Sequence, residues 1–371
     1  MNKILIGRTK GKEMYSCFSL ENDVSSKEFD QIVDVLQKSI EECARFEDDK
    51  TNPGVVILST QPEPSIYHNA VTSLVSLKET VDQLKDLNAF YKGYKNKRGL
   101  IGAIASVAWI PGDKTYEIIT YREKQRWGTP RYVDVSSVMM MDNKTLKTFD
   151  NFDYHNNHSR ITPNSPCPIL YGIRGDDSDE LLTSIEMIDS EAVDGFLLFE
   201  TNQGTDDHIQ KKNISDISAY ESVCVRGTVV KGPYTVRGGH VIFRISDGTC
   251  CIDCACYEPT KQFRDTIRSL VCGDVVDVFG GVRSKPLTIN IEKIYIVSLV
   301  KIVKKIENPV CISCGKHMKS VGENKGFRCK RCGTKSCSPV LKNTSRSLSL
   351  GWYESAVCAR RHLSKPLKRF I

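Results

Sequence analysis

Two Cys-x-x-Cys pairs near the C-terminal end constrain the fold of this chain more than any other feature. The pairs, Cys311 with Cys314 and Cys329 with Cys332, are separated by fourteen residues. This spacing is typical of two metal-binding knuckles, which together supply four thiolates to a tetrahedral zinc ion. A redox dithiol is the alternative, but a thioredoxin-like motif carries one pair in an α/β context. Because protein ligands would fill all four positions, we predict a structural zinc in a zinc ribbon over residues 308–336.

The segment before the cysteines has the strand order of a small barrel. Three β-rich stretches come first, then one helical stretch, then two more β-rich stretches. The predicted strands are 223–230, 241–245, 250–256, 275–282 and 287–297, and the predicted helix is 259–270. This order is typical of an OB-fold β-barrel, which is a frequent oligonucleotide binder. We therefore predict an OB-fold over residues 218–300, with a spacer or a protein-binding module as the alternative roles.

The first part of the chain, residues 1–213, has the pattern of a mixed α/β region. Apolar periodicity predicts helices over 27–46 and 65–91, and strands over 55–58, 115–122 and 132–139. A basic loop at Arg98 and Gly99 opens an apolar segment that also contains Gly102. A positive loop at a helix N-terminus suits an anion, so these three residues are candidate phosphate contacts. An ordinary surface loop is the alternative.

A polar stretch at residues 199–208 is the candidate for a ligand-binding loop. It follows 195–199, a predicted short buried strand, and strand ends are where α/β sheets place their chemistry. Two other strand-like segments likewise end in loops that hold Asp150 and Arg174. We expect the three loops to converge on one pocket, whereas the alternative for 199–208 is a solvated loop. The candidate residues in the stretch are Thr201, Asn202, Gln203, Asp206 and His208.

Charge is unevenly distributed along the chain. Residues 301–371 contain seventeen Lys or Arg against three Glu, a net charge of +14, and because the whole chain carries +7 the rest carries −7. This asymmetry indicates a polyanionic partner, RNA or DNA before an acidic protein or a membrane, and a solvated basic tail is the alternative. The candidate contacts on the second knuckle and in the basic C-terminal tail 344–371 are Lys330, Arg331, Arg360, Arg361, His362 and Lys365.

The composition is that of a globular cytosolic protein. Hydrophobic residues make up 40% and charged residues 26% of the 371 residues. No apolar run approaches the roughly 20 residues of a membrane span, and the N-terminus lacks the apolar centre of a signal peptide. Fifteen cysteines is an odd number, which fits a secreted disulfide framework poorly. We expect no membrane partner and a cytoplasmic location.

Seven motifs give the chain a resemblance to a known family. They are DKTNPG at 49–54, RGLIGA at 98–103, WGTPR at 127–131, TFDN at 148–151, GIRG at 172–175, TNQGTD at 201–206 and ARRHLSKPL at 359–367. In this order the chain resembles the archaeal tRNA-isoleucine agmatinylcytidine synthase family. The resemblance implies an α/β catalytic half made of kinase-like and ferredoxin-like domains, followed by an OB-fold and a zinc ribbon.

The resemblance also implies a reaction. Members of the family join agmatine to C2 of the wobble cytidine of a CAU-anticodon tRNA with ATP, so that the tRNA reads AUA codons. ATP first phosphorylates the C2 oxygen, and the amine of agmatine then displaces phosphate. Phosphoryl transfer depends on Mg²⁺ and positioned cations, for which Arg98 and Arg174 are candidates. Asp150 and Asp206 are candidates for binding the metal or the cationic agmatine.

The N-terminus departs from the family pattern. Family members begin with a Gly-Ile-Asp-Asp-Thr-Asp-Ser motif thought to hold ATP and metal, whereas this sequence begins at a segment like the one downstream of it. The acidic run 176–179 has a similar composition, but we interpret it as the first turn of a helix. We expect a start assigned too late, a separate N-terminal fragment that is a partner, or a loss of catalysis. In the last case the chain would be a non-catalytic tRNA- or single-strand-binding protein.

Overall fold

The first α/β unit is a four-stranded antiparallel sheet with helices on both faces. The computed structural model describes residues 4–10, 14–20, 24–165, 167–322, 325–337 and 340–370. The strands are β1 (Ile4–Lys10), β2 (Met14–Leu20), β3 (Gly54–Leu58) and β4 (Phe90–Gly93), in the order β2-β1-β3-β4, and the helices are α1 (Ser26–Cys43), α2 (Pro64–Thr72), α3 (Leu77–Asp86) and α4 (Gly99–Ala108). Every residue of β3 is buried, since α1 packs on one face of the strand and α3 and α4 pack on the other.

The sequence predicts one helix over 65–91, and this prediction is wrong. The structure has two helices, α2 and α3, and then strand β4. The hydroxyls of Thr72 and Ser73 donate to the carbonyls of His68 and Asn69, four residues back, where α2 ends. Such bonds compete with helix propagation. Asn88 then has a φ of 49°, a left-handed conformation that ends the second helix.

The second α/β unit is an antiparallel sheet covered by helices on one face only. Its elements are β5 (Thr115–Arg122), α5 (Val135–Lys144), β6 (Thr148–Phe149), β7 (Phe152–Asp153), β8 (His158–Ser159), β9 (Ile169–Gly175), α6 (Ser178–Glu186) and β10 (Val193–Thr201). The strand order is β10-β5-β9-β6, and β7 pairs with β8 outside this sheet. Ile118, Leu170 and Ile173 pack against α5 and α6. The other face of the sheet carries Glu117, Ile119 and Arg174 and is turned toward the first unit.

Two local predictions in this unit need correction. Residues 132–139, predicted as a strand, lie largely in α5, because the carboxylate of Asp134 caps the helix by accepting from the Ser137 amide at 2.7 Å. Segment 195–199 is a strand, as predicted, but β10 is the edge of the sheet rather than a buried strand. Phe196 and Leu197 are half exposed. The helix predicted to start at the acidic run 176–179 is confirmed, with Asp177 capping α6.

A five-stranded barrel follows, in the predicted order of three strands, a helix and two strands. Its elements are β11 (Ile209–Lys211), β12 (Ser222–Thr235), β13 (Val241–Ser246), β14 (Cys251–Cys256), α7 (Phe263–Arg268), β15 (Val275–Ser284) and β16 (Leu287–Ser298). The barrel closes because β12 pairs with both β13 and β15, while β14 pairs in parallel with β16. Strand β11 lies outside the closed barrel and pairs with β12.

The remaining chain leaves the barrel, forms the ribbon and returns. Its strands are β17 (Ile302–Glu307), β18 (Lys319–Ser320), β19 (Phe327–Arg328), β20 (Lys335–Ser336), β21 (Val340–Thr344) and β22 (Gly351–Glu354). Strand β17 precedes the ribbon in the chain and β21 follows it, and these two strands pair with each other. Strand β22 then pairs with β16 of the barrel. The segment 355–370 then runs between the barrel and the second unit. Among the described helices, none is long and apolar enough to cross a membrane.

Candidate active site

A cavity of about 1360 Å³ lies between the two α/β units. Its walls come from α1, the loop 50–55, the start of α4 and the bare face of the second sheet. Ligand pockets usually measure about 300–1,000 Å³, so this cavity can hold more than one small molecule. Six of the residues singled out from the sequence line it. They are Arg98, Gly99, Gly102, Asp150, Arg174 and His362.

The start of α4 forms the cationic corner of the cavity. Gly54 packs directly on this helix start, since a Cβ at position 54 would lie 2.4 Å from the carbonyl carbon of Gly99. The Asn96 side chain accepts from the Arg98 amide at 3.0 Å, and Asn52 accepts from the Asn96 amide at 3.4 Å. The loop therefore holds exposed Arg98 beside the positive end of the helix dipole. This corner suits a phosphate.

A buried carboxylate, Glu117, orients Arg174 on the opposite wall. Glu117 is 7% exposed and accepts from Arg174 Nε at 3.0 Å and from Gln203 Nε2 at 2.7 Å. No partner is found for the two terminal guanidinium nitrogens of Arg174 within the described ranges, so they can bind an anion in the cavity. Sequence analysis missed Glu117. The available signal was the one carboxylate of strand β5, on the same face as Ile119.

Asp150 lines the cavity, but its carboxylate already has a cationic partner. Arg360, from the C-terminal segment, donates to Asp150 and also to Glu354. The Arg360 side chain is only 6% exposed. Burial raises the pKa of Glu354, while the Arg360 charge opposes that shift. Arg360 is thus committed to two carboxylates, and a ligand of Asp150 would share the carboxylate with this guanidinium.

The stretch 199–208 connects four parts of the molecule. Asn202 Nδ2 donates to the Tyr67 hydroxyl of the first unit at 2.8 Å. Asp206, with a left-handed φ of 66°, accepts from the buried Lys293 of the barrel at 2.6 Å and from the Lys365 amide at 2.7 Å. In the described part of the chain, none of Thr201, Asn202, Gln203, Asp206 and His208 is among the residues that line the cavity. The stretch touches residues of the site through the bond from Gln203 to Glu117 and through the bond from the Gly204 amide to the carbonyl of His362.

A second buried cluster lies behind this stretch, at the barrel. His208 Nε2 lies 3.1 Å from Glu292 Oε2, and Arg361 donates to the other Glu292 oxygen at 2.7 Å. Burial raises the pKa of Glu292, but the hydrogen bond with His208 and the Arg361 charge outweigh it and lower this pKa to about 2. Lys365 similarly pairs with Asp113 at 2.8 Å. The basic residues of the C-terminal segment are thus largely engaged inside the molecule.

The four cysteine sulfurs form a compact cluster. All lie within 4.8 Å of one another, and the separations between Cys311 and Cys332 and between Cys314 and Cys329 are 3.3 and 3.4 Å. Sulfurs around a tetrahedral zinc, with bonds of about 2.3 Å, are roughly 3.8 Å apart, so the cluster fits the ion. Lys330 and Arg331 are exposed on the second knuckle, as the sequence predicts for phosphate contacts. We assign the cluster as a structural zinc site.

These features define a class of protein: a mixed α/β region with a large cavity, joined to a five-stranded barrel and a four-cysteine zinc ribbon. Three family models match the chain, namely the TiaS TCKD domain at residues 1–96, the TiaS FLD domain at 97–208 and the TiaS C-terminal zinc ribbon domain at 308–348. The chain belongs to the TiaS family.

Named relatives and solved structures match nearly the whole chain. The isoleucine-tRNA 2-agmatinylcytidine synthetase TiaS of Methanocaldococcus jannaschii is 40% identical over 99% of this chain and 88% of its own length. The protein of the same name from Methanosarcina mazei is 42% identical over 100% of this chain and 88% of its own. The crystal structure of a complex of TiaS with an isoleucine tRNA and ATP is similar with a TM-score of 0.88 and 34% identity, over 100% of this chain and 98% of that one. For a complex of TiaS with the same tRNA, AMPCPP and agmatine, the TM-score is 0.86 and the identity 32%, over the same shares.

Proposed function

We propose that this protein is an ATP-dependent ligase that joins agmatine to C2 of the wobble cytidine of the isoleucine tRNA that has a CAU anticodon. The observation that carries the proposal is similarity over the whole chain to structures of TiaS with an isoleucine tRNA, ATP or AMPCPP, and agmatine. The size of the cavity supports it, since three reactants must meet there. The comparisons do not favour a non-catalytic nucleic-acid-binding protein.

Each wall of the cavity has a proposed role in the reaction. Arg98, Gly99 and Gly102 would hold ATP phosphates at the start of α4, as cations and helix dipoles do in phosphoryl transfer. Arg174, fixed by Glu117, would stabilise negative charge on the phosphoryl group that passes to the cytidine oxygen. Asp150 would hold Mg²⁺ or the cationic agmatine whose amine displaces phosphate.

The residues singled out in the stretch 199–208 would hold other side chains in place rather than contact the reactants. Gln203 holds Glu117, and Asp206 holds Lys293. Thr201 accepts from the Gln203 amide, His208 meets Glu292 of the barrel, and Asn202 reaches Tyr67 of the first unit. We therefore propose that the stretch fixes the second sheet against the barrel and the first unit. Direct contact of Asp206 with a reactant would require the loop to move away from Lys293.

The domain assignment is also part of the proposal. In the second unit, elements follow as strand, helix, strand, strand, helix, strand, with sequential strands ordered 4-1-3-2 in the sheet, which supports a ferredoxin-like domain. We propose a kinase-like domain before it, within the α/β region 1–213. An OB-fold over 218–300, the ribbon over 308–336 and the segment 344–371 complete the chain. We also propose a cytoplasmic location.

Contacts with tRNA are proposed for the exposed cations of the ribbon and for the C-terminal segment. Lys330 and Arg331 have the exposure that phosphate contacts need. Arg361 is about half exposed and can reach outward. His362 and Lys365 are proposed contacts of the same segment, and Lys365 would first have to leave its ion pair with Asp113. Arg360 would instead hold the segment in place because its guanidinium is buried between two carboxylates.

The direct test is product formation. The protein is incubated with ATP, labelled agmatine and a transcript of the CAU-anticodon isoleucine tRNA, and the digested tRNA is analysed for agmatinylcytidine by mass spectrometry. A transcript with uridine at the wobble position is the matched RNA control. Absence of agmatinylcytidine from the cytidine transcript would refute the function.

Arg174→Gln tests the site within the same assay. It removes the cation but leaves Glu117 in contact with Gln203, and we expect product formation to fall about 100-fold, as for loss of a group that stabilises transition-state charge. Arg226→Gln is the control because Arg226 is an exposed arginine of the barrel, paired with Asp277. Equal rates for the two variants would show that Arg174 lies outside the reaction.

A further inference from the structure

An exposed tryptophan, Trp127, stands at the rim of the cavity on an unusually well-anchored loop. Trp127 is 46% exposed and is one of the residues that line the cavity. Its indole Nε1 donates to the carbonyl of Arg122 at 3.0 Å, which fixes the ring. Among the described residues, no aromatic or cationic side chain stacks on this ring. Exposure of a large apolar ring to water is unfavourable, and stacking against a ligand would bury the ring and remove this unfavourable free energy.

A fully buried ion pair anchors the loop that carries Trp127. The side chains of Arg122 and Glu191 are 0% and 2% exposed and meet through two bonds, of 2.6 and 3.1 Å. Arg122 also donates to the carbonyls of Thr129 and Pro130, at 2.8 and 3.1 Å. Two charge-assisted bonds thus run from the buried ion pair to a surface loop whose own residues are otherwise exposed. The ring of Trp127 is therefore in place before any ligand arrives.

A second loop that lines the cavity is held by the loop that carries Trp127. Arg131 donates to the carbonyls of Pro163 at 3.1 Å, Ser165 at 2.8 Å and Cys167 at 2.9 Å, which belong to a loop that also lines the cavity. That loop offers polar side chains, among them Asn164. The lining of the cavity therefore includes both a flat aromatic ring and hydrogen-bonding groups. This is the combination that recognises an unstacked nucleobase.

Charge around the ring favours RNA. Lys124 and Arg126 are exposed beside Trp127, and the cavity wall has more cationic than anionic side chains. The cationic ones are Lys50, Arg98, Arg160 and Arg174, against Glu117 and Asp150. A single-stranded nucleic acid fits both features because its phosphates can pair with the cations and an unstacked base can stack on Trp127.

We propose that Trp127 is a stacking platform for a base of the tRNA anticodon loop, which it holds at the entrance to the cavity. The inference rests on the proposed function and makes it more specific. Trp127 is a substrate-positioning residue in this proposal. The adenine of ATP has the same stacking chemistry, so the experiment separates the two sources of a nucleobase.

Intrinsic fluorescence tests the contact directly. The chain has three tryptophans, and Trp352 packs inside the molecule against Tyr295 and Phe370. We expect an anticodon stem-loop of the isoleucine tRNA to quench the emission of the wild-type protein, and the quench to be lost in Trp127→Phe. A stem-loop with abasic loop positions should not quench. The same Trp127-dependent quench with ATP in the absence of RNA would overturn the assignment to tRNA.

Affinity provides the second arm. Trp127→Ala should raise the Kd for tRNA about tenfold, as for loss of one base-aromatic stack, while Trp127→Phe stays within about threefold of the wild type. The slope of log Kd against log salt should not change because no phosphate contact is lost. The control, Lys124→Ala with Arg126→Ala, should flatten that slope. Thermal unfolding of each variant checks that the loop variants fold.

The outcomes separate this inference from the function itself. If the wild type binds tRNA but Trp127→Ala binds equally well, the platform is refuted and the ligase proposal stands. If Trp127→Ala lowers affinity and Trp127→Phe lowers it equally, the ring does not act by stacking and the platform is again refuted. If the wild type does not bind tRNA at all, both proposals fall.

Discussion

Replacing Asp206 with Asn tests the connection between the second α/β unit and the barrel. The carboxylate pairs with Lys293, whose side chain is fully buried, at 2.6 Å. Asn keeps the acceptor for the Lys365 amide and tolerates the left-handed φ of 66°, so the main change is loss of one charge. Breaking a buried pair by removing one partner costs about 3–5 kcal/mol, and because Asp206 is 19% exposed we expect about 3 kcal/mol.

The assay is urea unfolding of a double-mutant cycle. Asp206→Asn, Lys293→Met and the double variant are compared with the wild type by circular dichroism. The double variant should be more stable than Asp206→Asn alone because it no longer contains a buried cation without its carboxylate. A loss below about 0.5 kcal/mol for Asp206→Asn, with additive effects in the cycle, would refute this reasoning.

The pH dependence of the same variant has a definite sign. Burial lowers the pKa of Lys293 from its ordinary 10.5, and the charge of Asp206 opposes that shift. Without Asp206 the pKa falls further, so the unfolded chain binds more protons than the folded one over a wider range below 10.5. Stability therefore rises with pH in that window, and the deficit of Asp206→Asn relative to the wild type should shrink as pH approaches 10.5.

Agmatine transfer by the same variants separates two roles of Asp206. The sequence predicts that Asp206→Asn abolishes transfer because the carboxylate binds a metal or agmatine. If Asp206 only holds Lys293, the folded double variant should recover transfer. If Asp206 takes part in the chemistry, the double variant should fold and remain inactive.

Three further predictions concern the ribbon, the basic segment and the barrel cluster. Cys314→Ser should lower zinc content and unfold the ribbon, and full occupancy by metal analysis would contradict the site. Arg361→Ala should weaken tRNA binding and flatten its salt dependence because this half-exposed arginine is a proposed phosphate contact, and an unchanged Kd across a salt titration would contradict that contact. Because the pKa of Glu292 falls from 4.5 to about 2, its contribution of about 3 kcal/mol should be present above pH 4.5 and lost as the pH falls toward 2. Acid unfolding of Glu292→Gln, which lacks this dependence, checks the assignment.

Patterns within one segment were sufficient for part of the fold. The four cysteines and the order of barrel elements follow from spacing and alternation over short distances. Strand β5 is observed with the predicted bounds, Thr115–Arg122. The same rules were wrong for 132–139, most of which belongs to α5. In this helix Val138 and Met141 are buried but Met140 is exposed. The spacing of apolar residues in so short a run does not distinguish a strand from a helix, and Asp134 as a helix N-cap was the better signal.

The candidate site depends on contacts between distant segments, which local patterns do not encode. Glu117 meets Gln203 across 86 residues, and Asp150 meets Arg360 across 210. Sequence reasoning found Arg174 and Asp150 from their loops, but the intramolecular partners of the basic C-terminal residues depend on the folded chain. It also left the boundary inside the α/β region open. Helix α4 packs on the first unit although the second family model begins at residue 97.

The ion pairs of the C-terminal segment have a consequence for how the protein is made. Arg369 donates to Asp113, 256 residues earlier in the chain, and also to Asp176. At about 5–20 residues per second, a ribosome needs roughly 10–50 s to add that length of chain. The rest of the second unit, up to Thr201, is synthesised within this time, whereas Asp113 obtains a counterion from the segment 355–370 only at its end. The two α/β units can therefore form their sheets early, while the contacts that the segment 355–370 makes with the second unit and the barrel form only near the end of synthesis.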